Sequence, residues 1–386
     1  MRTINVGLIG HKYMGRAHTH GYTDMPLFTD IDVRVVKKVL CANEDSVEGV
    51  AMRWGWESWT LDWREVVNNP EIDMIDIAAP SILHSDIAIA AAKAGKHVMC
   101  EKPMAMNLKD AHRMLCAAEQ AKIVNMIGFN YRCVPAVVLA KQMIADGKIG
   151  EIYHFRGVYQ QDWLSDPEYP ITWRLKKELA GSGTHGDMGS HVVDVMRYWL
   201  GEVKEVVCDQ RTYYRQRPIA RYSHGIEAEV SAEKGEVDVD DASMMIVRFR
   251  DNNGMGYVEA TRNGTGHKNQ NRIEVSGSKG ALIFDMENLN VLQYFNVDDP
   301  AGLKGFRTIQ VSEAMHPHMG NWWAPGHIIG YGDTFIHQAR NFAEAILKGV
   351  PASPSFEDGY RCQLVLEAAQ ISHDERRWVQ MSEVKP

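Results

Sequence analysis

The strongest constraint on this chain is the alternation in its first 128 residues of short apolar runs with helical patterns. Asn5–Ile9, Val33–Cys41, Met74–Ala78, His97–Cys100 and Val124–Phe129 read as strands. Amphipathic stretches near Met14–Tyr22, Ser46–Trp54, Asp86–Ala94 and Leu108–Lys122 read as helices. Parallel strands need a crossover connection long enough to hold a helix, and strands covered on both faces read as continuous apolar runs. The pattern predicts a doubly wound parallel sheet, which binds ligands beyond the carboxyl ends of its strands.

The strand ends are therefore where chemistry is sought. After the first strand, Gly10-His11-Lys12-Tyr13-Met14-Gly15 has the register of the dinucleotide fingerprint G-x-G-x-x-G, with Lys12 at the middle glycine. A helix N-terminus there offers amide donors to a pyrophosphate, and Lys12 adds a cation while its Cβ crowds the backbone's approach. Gly10, Lys12, Tyr13 and Met14 are thus cofactor candidates. The second strand runs into Asn43, Glu44 and Asp45, with no arginine to welcome a 2′-phosphate, so NAD is expected over NADP, with Asn43 among its contacts. Ala79-Pro80 leads from the third strand towards His84, and Glu101-Lys102-Pro103 follows the fourth, which sets Lys102 at the ligand edge.

From residue 129 the pattern changes. A helical segment to Asp146 and a long strand, Glu151–Gln160, precede loops holding Gln161, Trp163, Trp173 and Arg174. The stretch Gly181–Asp194 then delivers a glycine-rich run into a helix. Met188, Val192, Val195, Met196 and Trp199 share its apolar face, and Asp187, His191, Asp194 and Tyr198 form a polar stripe. An acid one turn before a histidine can orient the ring as a general base requires; a solvated helix face is the bland alternative. Beyond Leu200, Asp251-Asn252-Asn253-Gly254 and Gly277-Ser278-Lys279-Gly280 are hairpin turns between apolar runs, and Leu289–Phe295 continues the sheet. Residues 209–237 read as a polar excursion, 299–332 as a long loop, and helices near Asp333–Lys348 and Glu357–His373 close the chain. The expected architecture is an α/β dinucleotide-binding domain over 1–128, followed by an α+β domain over 129–386 on a largely antiparallel sheet.

Net charge is −8 over 386 residues without a Lys/Arg block, which speaks against nucleic acid and anionic membranes as partners. The cysteines at 41, 100, 116, 133, 208 and 362 are dispersed, as in reduced cytoplasmic proteins, and the first residues read as a strand rather than a leader. His185, Asp187 and His191, like His316 and His318, are of metal-binding type but lack a metal signature's spacing, so no metal is expected.

Taken together, Ala79-Pro80-Ser81-Ile82-Leu83-His84, Glu101-Lys102-Pro103, Trp173-Arg174 and Gly181–Asp194 resemble the glucose–fructose oxidoreductase, inositol dehydrogenase and rhizopine-catabolism family. Phe129-Asn130-Tyr131-Arg132, Gln161-Asp162-Trp163, Glu259–Asn263 and Gly330-Tyr331-Gly332 resemble its members that oxidise sugars or glycosides at C3. Lys12 departs from the usual glycine pattern. The resemblance implies a Rossmann domain and a homodimeric or homotetrameric NAD-dependent dehydrogenase acting on a sugar or glycoside. It implies His191 as base, Asp187 as its orienter or a hydroxyl acceptor, and Lys102 as the group stabilising charge on the reacting oxygen. His84, Glu101, Trp173 and Arg174 are then cofactor contacts, and Asn130, Tyr131, Gln161 and Trp163 face substrate. Inositol oxidation, keto-sugar reduction and a non-catalytic nucleotide sensor are the competing readings.

Overall fold

In the computed structural model, which describes residues 1–224 and 227–386, β1 (Arg2–Ile9), β2 (Val33–Cys41), β3 (Ser58–Thr60), β4 (Met74–Ile77), β5 (His97–Cys100) and β6 (Asn125–Ile127) pair in parallel. Their order is β3-β2-β1-β4-β5-β6. The chain starts in the middle, winds to one edge, then crosses back to build the other, which opens a crevice between β1 and β4. Ile4, Val6, Leu8, Met74, Ile75 and Ile77 bury the centre. Connections run through α1 (Tyr13–Phe28), α2 (Val47–Trp54), α3 (Trp63–Asn68), α4 (His84–Lys93) and α5 (Leu108–Ala121). Asn107 caps α5 by accepting the Asp110 amide at 2.9 Å, and Lys122 ends it in the left-handed conformation.

These elements form one of two compact units, residues 1–133 with 330–363 and Pro386. It takes in α10 (Thr334–Lys348) and the start of α11 (Phe356–Glu375), which a linear division at residue 129 assigns to the second part. β3 and α3 are additional to the sequence pattern, being too short to show a period. α1 runs past Tyr22 to Phe28 with Pro26 inside it, so the helix carries on without the amide that would otherwise bond the Tyr22 carbonyl.

The other unit, residues 134–329 with 364–385, contains α6 (Pro135–Ala145), β7 (Ile152–Gln160), α7 (Lys177–Ala180), α8 (Thr184–Asp187) and α9 (Gly189–Leu200). After them come β8 (Val203–Arg211), β9 (Gln216–His224), β10 (Glu227–Glu236), β11 (Ala242–Phe249) and β12 (Met255–Thr261). β13 (Gln270–Gly277), β14 (Gly280–Asp285), β15 (Val291–Asn296), β16 (Arg307–Gln310) and β17 (Val379–Gln380) complete the set among the described residues. The main sheet is ordered β16-β15-β14-β13-β7-β12-β11-β8-β17, and only β7 and β12 pair in parallel among its described strands. Both expected hairpins form, as β11–β12 and β13–β14. The expected excursion is instead largely structured: β9 and β10 pair antiparallel, and Gly225 and Ile226 between them lie outside the described residues. The pairing is a weak signal in the sequence, because the apolar residues that alternate with polar ones from Glu227 to Glu233 are few and small.

Helix α9 lies on this sheet. A Cβ at Gly157 of β7 would stand 2.2 Å from Val192 Cγ1, so glycine is what lets the helix seat this close. Seating buries Val192, Val193, Val195, Met196 and Trp199, but also His191 and Asp194, 5% and 1% exposed. Of the polar stripe, His191 and Asp194 are therefore internal, while Asp187 and Tyr198 are half-buried.

Candidate active site

In the first unit, the turn after β1 is fixed by Gly10 donating to Cys41 O at 2.8 Å, and Gly10 holds φ +113°, closed to other residues. Helix α1 begins at Tyr13 with no side chain capping it and no acid in its first turn. The first amides of α1 are thus left without a side-chain cap, the arrangement by which a helix N-terminus can receive an anion such as a pyrophosphate. Lys12 closes the turn from the side, its Nζ 2.6 Å from Glu44 Oε2, and His11 Nε2 lies 3.2 Å from Ser46 Oγ. Lys12 holds the Glu44 carboxyl below its usual range. Asn43 stands in the same loop, beyond β2.

At the next two strand ends, His84 faces Ala79 O at 2.9 Å through Nε2 and Pro103 O at 3.0 Å through Nδ1. It ties Ala79-Pro80 to the loop carrying Lys102. Burial lowers its pKa. Glu101 is buried and accepts the Lys102 amide at 3.2 Å. Asn130 and Tyr131 belong to this unit and are buried; Asn130 Nδ2 donates to Thr334 Oγ1 at 3.0 Å. Tyr331 joins them: its ring lies 6.4 Å from that of Tyr13, and burial, then Tyr131, Tyr13 and Glu101, push its phenol up. In the sequence Tyr331 is marked only by its place in Gly330-Tyr331-Gly332, with no role attached to the side chain.

In the second unit the candidates from distant loops converge. Trp163 Nε1 donates to Gln161 Oε1 at 2.8 Å, and Gln161 Nε2 donates to Asn269 Oδ1 at 2.7 Å. The Tyr159 hydroxyl reaches the same oxygen at 2.9 Å, while its ring meets that of His191 edge-on at 6.0 Å. Trp163 also packs on the core cluster of Leu164, Leu175, Val237 and Val239. The Arg262 guanidinium covers its face at 5.3 Å and donates to Asp187 Oδ2 at 2.7 Å. Arg262 is 1% exposed, and sequence reasoning gave it no role. Arg174 stacks on Trp173 at 4.5 Å; burial lowers its pKa, Asp187 opposes this and Arg262 adds to it. Asp187 is thus held among cations, an acceptor by environment.

The glycine-rich turn is clamped from behind. Asp240 accepts Gly183 N–H at 2.8 Å, the Thr184 hydroxyl at 2.6 Å and His185 N–H at 2.7 Å. His185 is used up locally, its Nδ1 2.9 Å from Ser243 Oγ and its Nε2 2.9 Å from Leu366 O. Asp187 ends α8 and His191 lies in α9, with a turn at Met188 between, so the one-turn spacing is not carried by one continuous helix. His316 Nδ1 accepts the Glu313 amide at 3.0 Å. Among the described residues no group of three or more His, Cys, Asp or Glu side chains is placed to hold a metal.

Residues 4–129 match the oxidoreductase family with an NAD-binding Rossmann fold, and residues 137–283 match the GFO/IDH/MocA C-terminal domain. The chain is 42% identical to levoglucosan dehydrogenase of Pseudarthrobacter phenanthrenivorans over the whole of both chains. It is 27% identical to myo-inositol 2-dehydrogenase of Thermotoga maritima over 99% of each. A levoglucosan dehydrogenase structure in complex with NADH and levoglucosan superposes with a TM-score of 0.93 at 41% identity, covering 98% of this chain and 99% of that one. The chain therefore belongs to the GFO/IDH/MocA family and is an NAD-binding oxidoreductase.

Proposed function

We propose that this enzyme oxidises a ring hydroxyl, at C3, of a pyranose sugar or glycoside of the levoglucosan type, forming the 3-keto product. The convergence of Trp163, Gln161, Arg262 and Asp187 in one hydrogen-bonded and stacked group carries the reading: aromatic residues beside polar and charged groups suit a sugar ring, apolar on its faces and hydroxylated at its rim. The 42% identical relative is named for a sugar substrate and the 27% identical one for a cyclitol, which favours the sugar.

Bound NAD⁺ supplies the acceptor for the hydrogen on the substrate carbon. His191 accepts the hydroxyl proton, and the edge of Tyr159 limits rotation of its ring. Asp187, paired with Arg262, accepts a hydrogen bond from an adjacent hydroxyl and orients the sugar. The Lys102 ammonium donates to the reacting oxygen as it gains negative charge. Gly10, Lys12, Tyr13, Met14, Asn43, Ala79, Pro80, His84, Glu101, Trp173 and Arg174 serve the cofactor; Asn130, Tyr131, Gln161 and Trp163 serve the substrate. A carbonyl at C3 acidifies the neighbouring C–H, so a lyase that eliminates the anomeric substituent fits as the consumer of the product.

NMR identification of the product after incubation with levoglucosan, inositols and O- and C-glycosides tests this reading. A 3-keto sugar or glycoside is expected; turnover of inositols alone would overturn it. Absence of turnover on every polyol would favour the nucleotide sensor.

Glu44 is assigned the choice of cofactor, since it neutralises Lys12 and opposes a 2′-phosphate. Glu44→Gln should raise kcat/KM with NADP by about tenfold, equivalent to about 1.4 kcal/mol. An unchanged NADP-to-NAD ratio would remove that role. The exposed Met244, Ile246 and Met255 on adjoining β11 and β12 suit a second copy of the chain, and the dispersed free cysteines suit the cytoplasm. No helix among the described residues is long and apolar enough to cross a membrane.

A further inference from the structure

Ionisable side chains occupy a part of the parallel sheet where apolar ones are the rule. Asp76 sits within β4 at 0% exposure, and His18, one turn into α1, is 2% exposed. His18 Nδ1 lies 2.9 and 2.8 Å from the two Asp76 oxygens, and its Nε2 lies 3.0 Å from Glu101 Oε1. Tyr22, on the next turn of α1, donates its hydroxyl to Asp76 Oδ2 at 2.7 Å. Phe335 covers the imidazole, ring to ring at 5.4 Å.

With a carboxylate on each nitrogen, both nitrogens must donate, so the ring is an imidazolium. Burial works against that charge, but Asp76 and Glu101 prevail and raise the His18 pKa to about 10. The trio is one cation between two carboxylates. Of the Glu101 oxygens, Oε1 is taken by His18 and Oε2 accepts the Lys102 amide. A continuous line of hydrogen bonds thus runs from Asp76 in β4, through His18 in α1, to the backbone of Lys102.

We propose that His18 is a positioning residue for the dehydrogenase reaction: as a fixed cation it pins Glu101, and through Glu101 it sets the Lys102 backbone at the end of β5. The proposal rests on the reading of Lys102 as the group that acts on the reacting oxygen. Without the imidazolium, two buried carboxylates lack their shared counter-ion, and one must take up a proton. A proton on Glu101 weakens its hold on the Lys102 amide. Neutralising Asp76 as well leaves Glu101 the one carboxylate, free to ionise and resume that hold.

His18→Gln should lower kcat, read at saturating NAD, by about tenfold or more on whichever sugar the wild type oxidises. Adding Asp76→Asn should recover most of that loss, whereas a merely structural role predicts that the second change adds to the damage. A kcat within about twofold of wild type, or a loss that Asp76→Asn fails to relieve, would overturn the proposal. Should His18→Gln not fold, neutron diffraction from the wild-type enzyme at about pH 8 reads the ring directly. Deuterons on both nitrogens are expected, and a single one would overturn it. That measurement needs no substrate, so it stands or fails apart from the choice of sugar.

Discussion

His191→Ala should lower kcat by about 10²–10⁴-fold, the range for loss of a positioned general base, and leave the Kd for NADH within about threefold. The hydroxyl proton must leave as the substrate carbon is oxidised, and His191 is the imidazole that the α9 helix buries beside Tyr159. The loss should narrow as pH rises, because water and hydroxide take over the proton's removal. Single-turnover rates of NADH formation, with a fluorescence titration of NADH binding, check both parts. Near-normal turnover would show that the base is another group.

Lys102→Met should lower kcat by about 10²–10³-fold, the cost typical of one lost donor to a developing oxyanion. Methionine keeps an unbranched apolar stem, one atom shorter, while removing the charge, and the backbone bond from Lys102 to Glu101 survives. The Lys102→Met/His191→Ala enzyme should lose less than the product of the single losses, because groups acting on one oxygen are non-additive. Strictly multiplicative losses would mean that they act on different steps. Lys102→Arg, which keeps charge but not shape, should fall between.

The place of Lys102 is legible in local order: it stands just past the end of β5, and a strand end is found from a run of apolar residues and the turn that stops it. The roles around Asp187 were not legible. Its ion pair with Arg262 spans 75 residues, and the clamp of Asp240 on Gly183 spans 57. Nothing in a short window signals such pairs. Spacing instead suggested that Asp187 and His191 share a helix, and the turn at Met188 divides them. His18 was passed over for a related reason: a histidine on a helix face has no visible partner until β4 and the β5 loop are brought to it.

By itself, then, the sequence determined the strand–helix alternation, the crevice at the carboxyl ends of the parallel strands, the glycine-rich entry to α9 and the ionisable groups offered there. These are properties of near neighbours, set by backbone preference and by the burial of periodic apolar residues. The tertiary structure decided which of those groups are held and by what. Hydrogen bonds and Coulomb interactions depend on distance in space, and burial sharpens them by excluding water. That is why the arginine neighbours of Asp187 and the carboxylates around His18 came into view only with the fold.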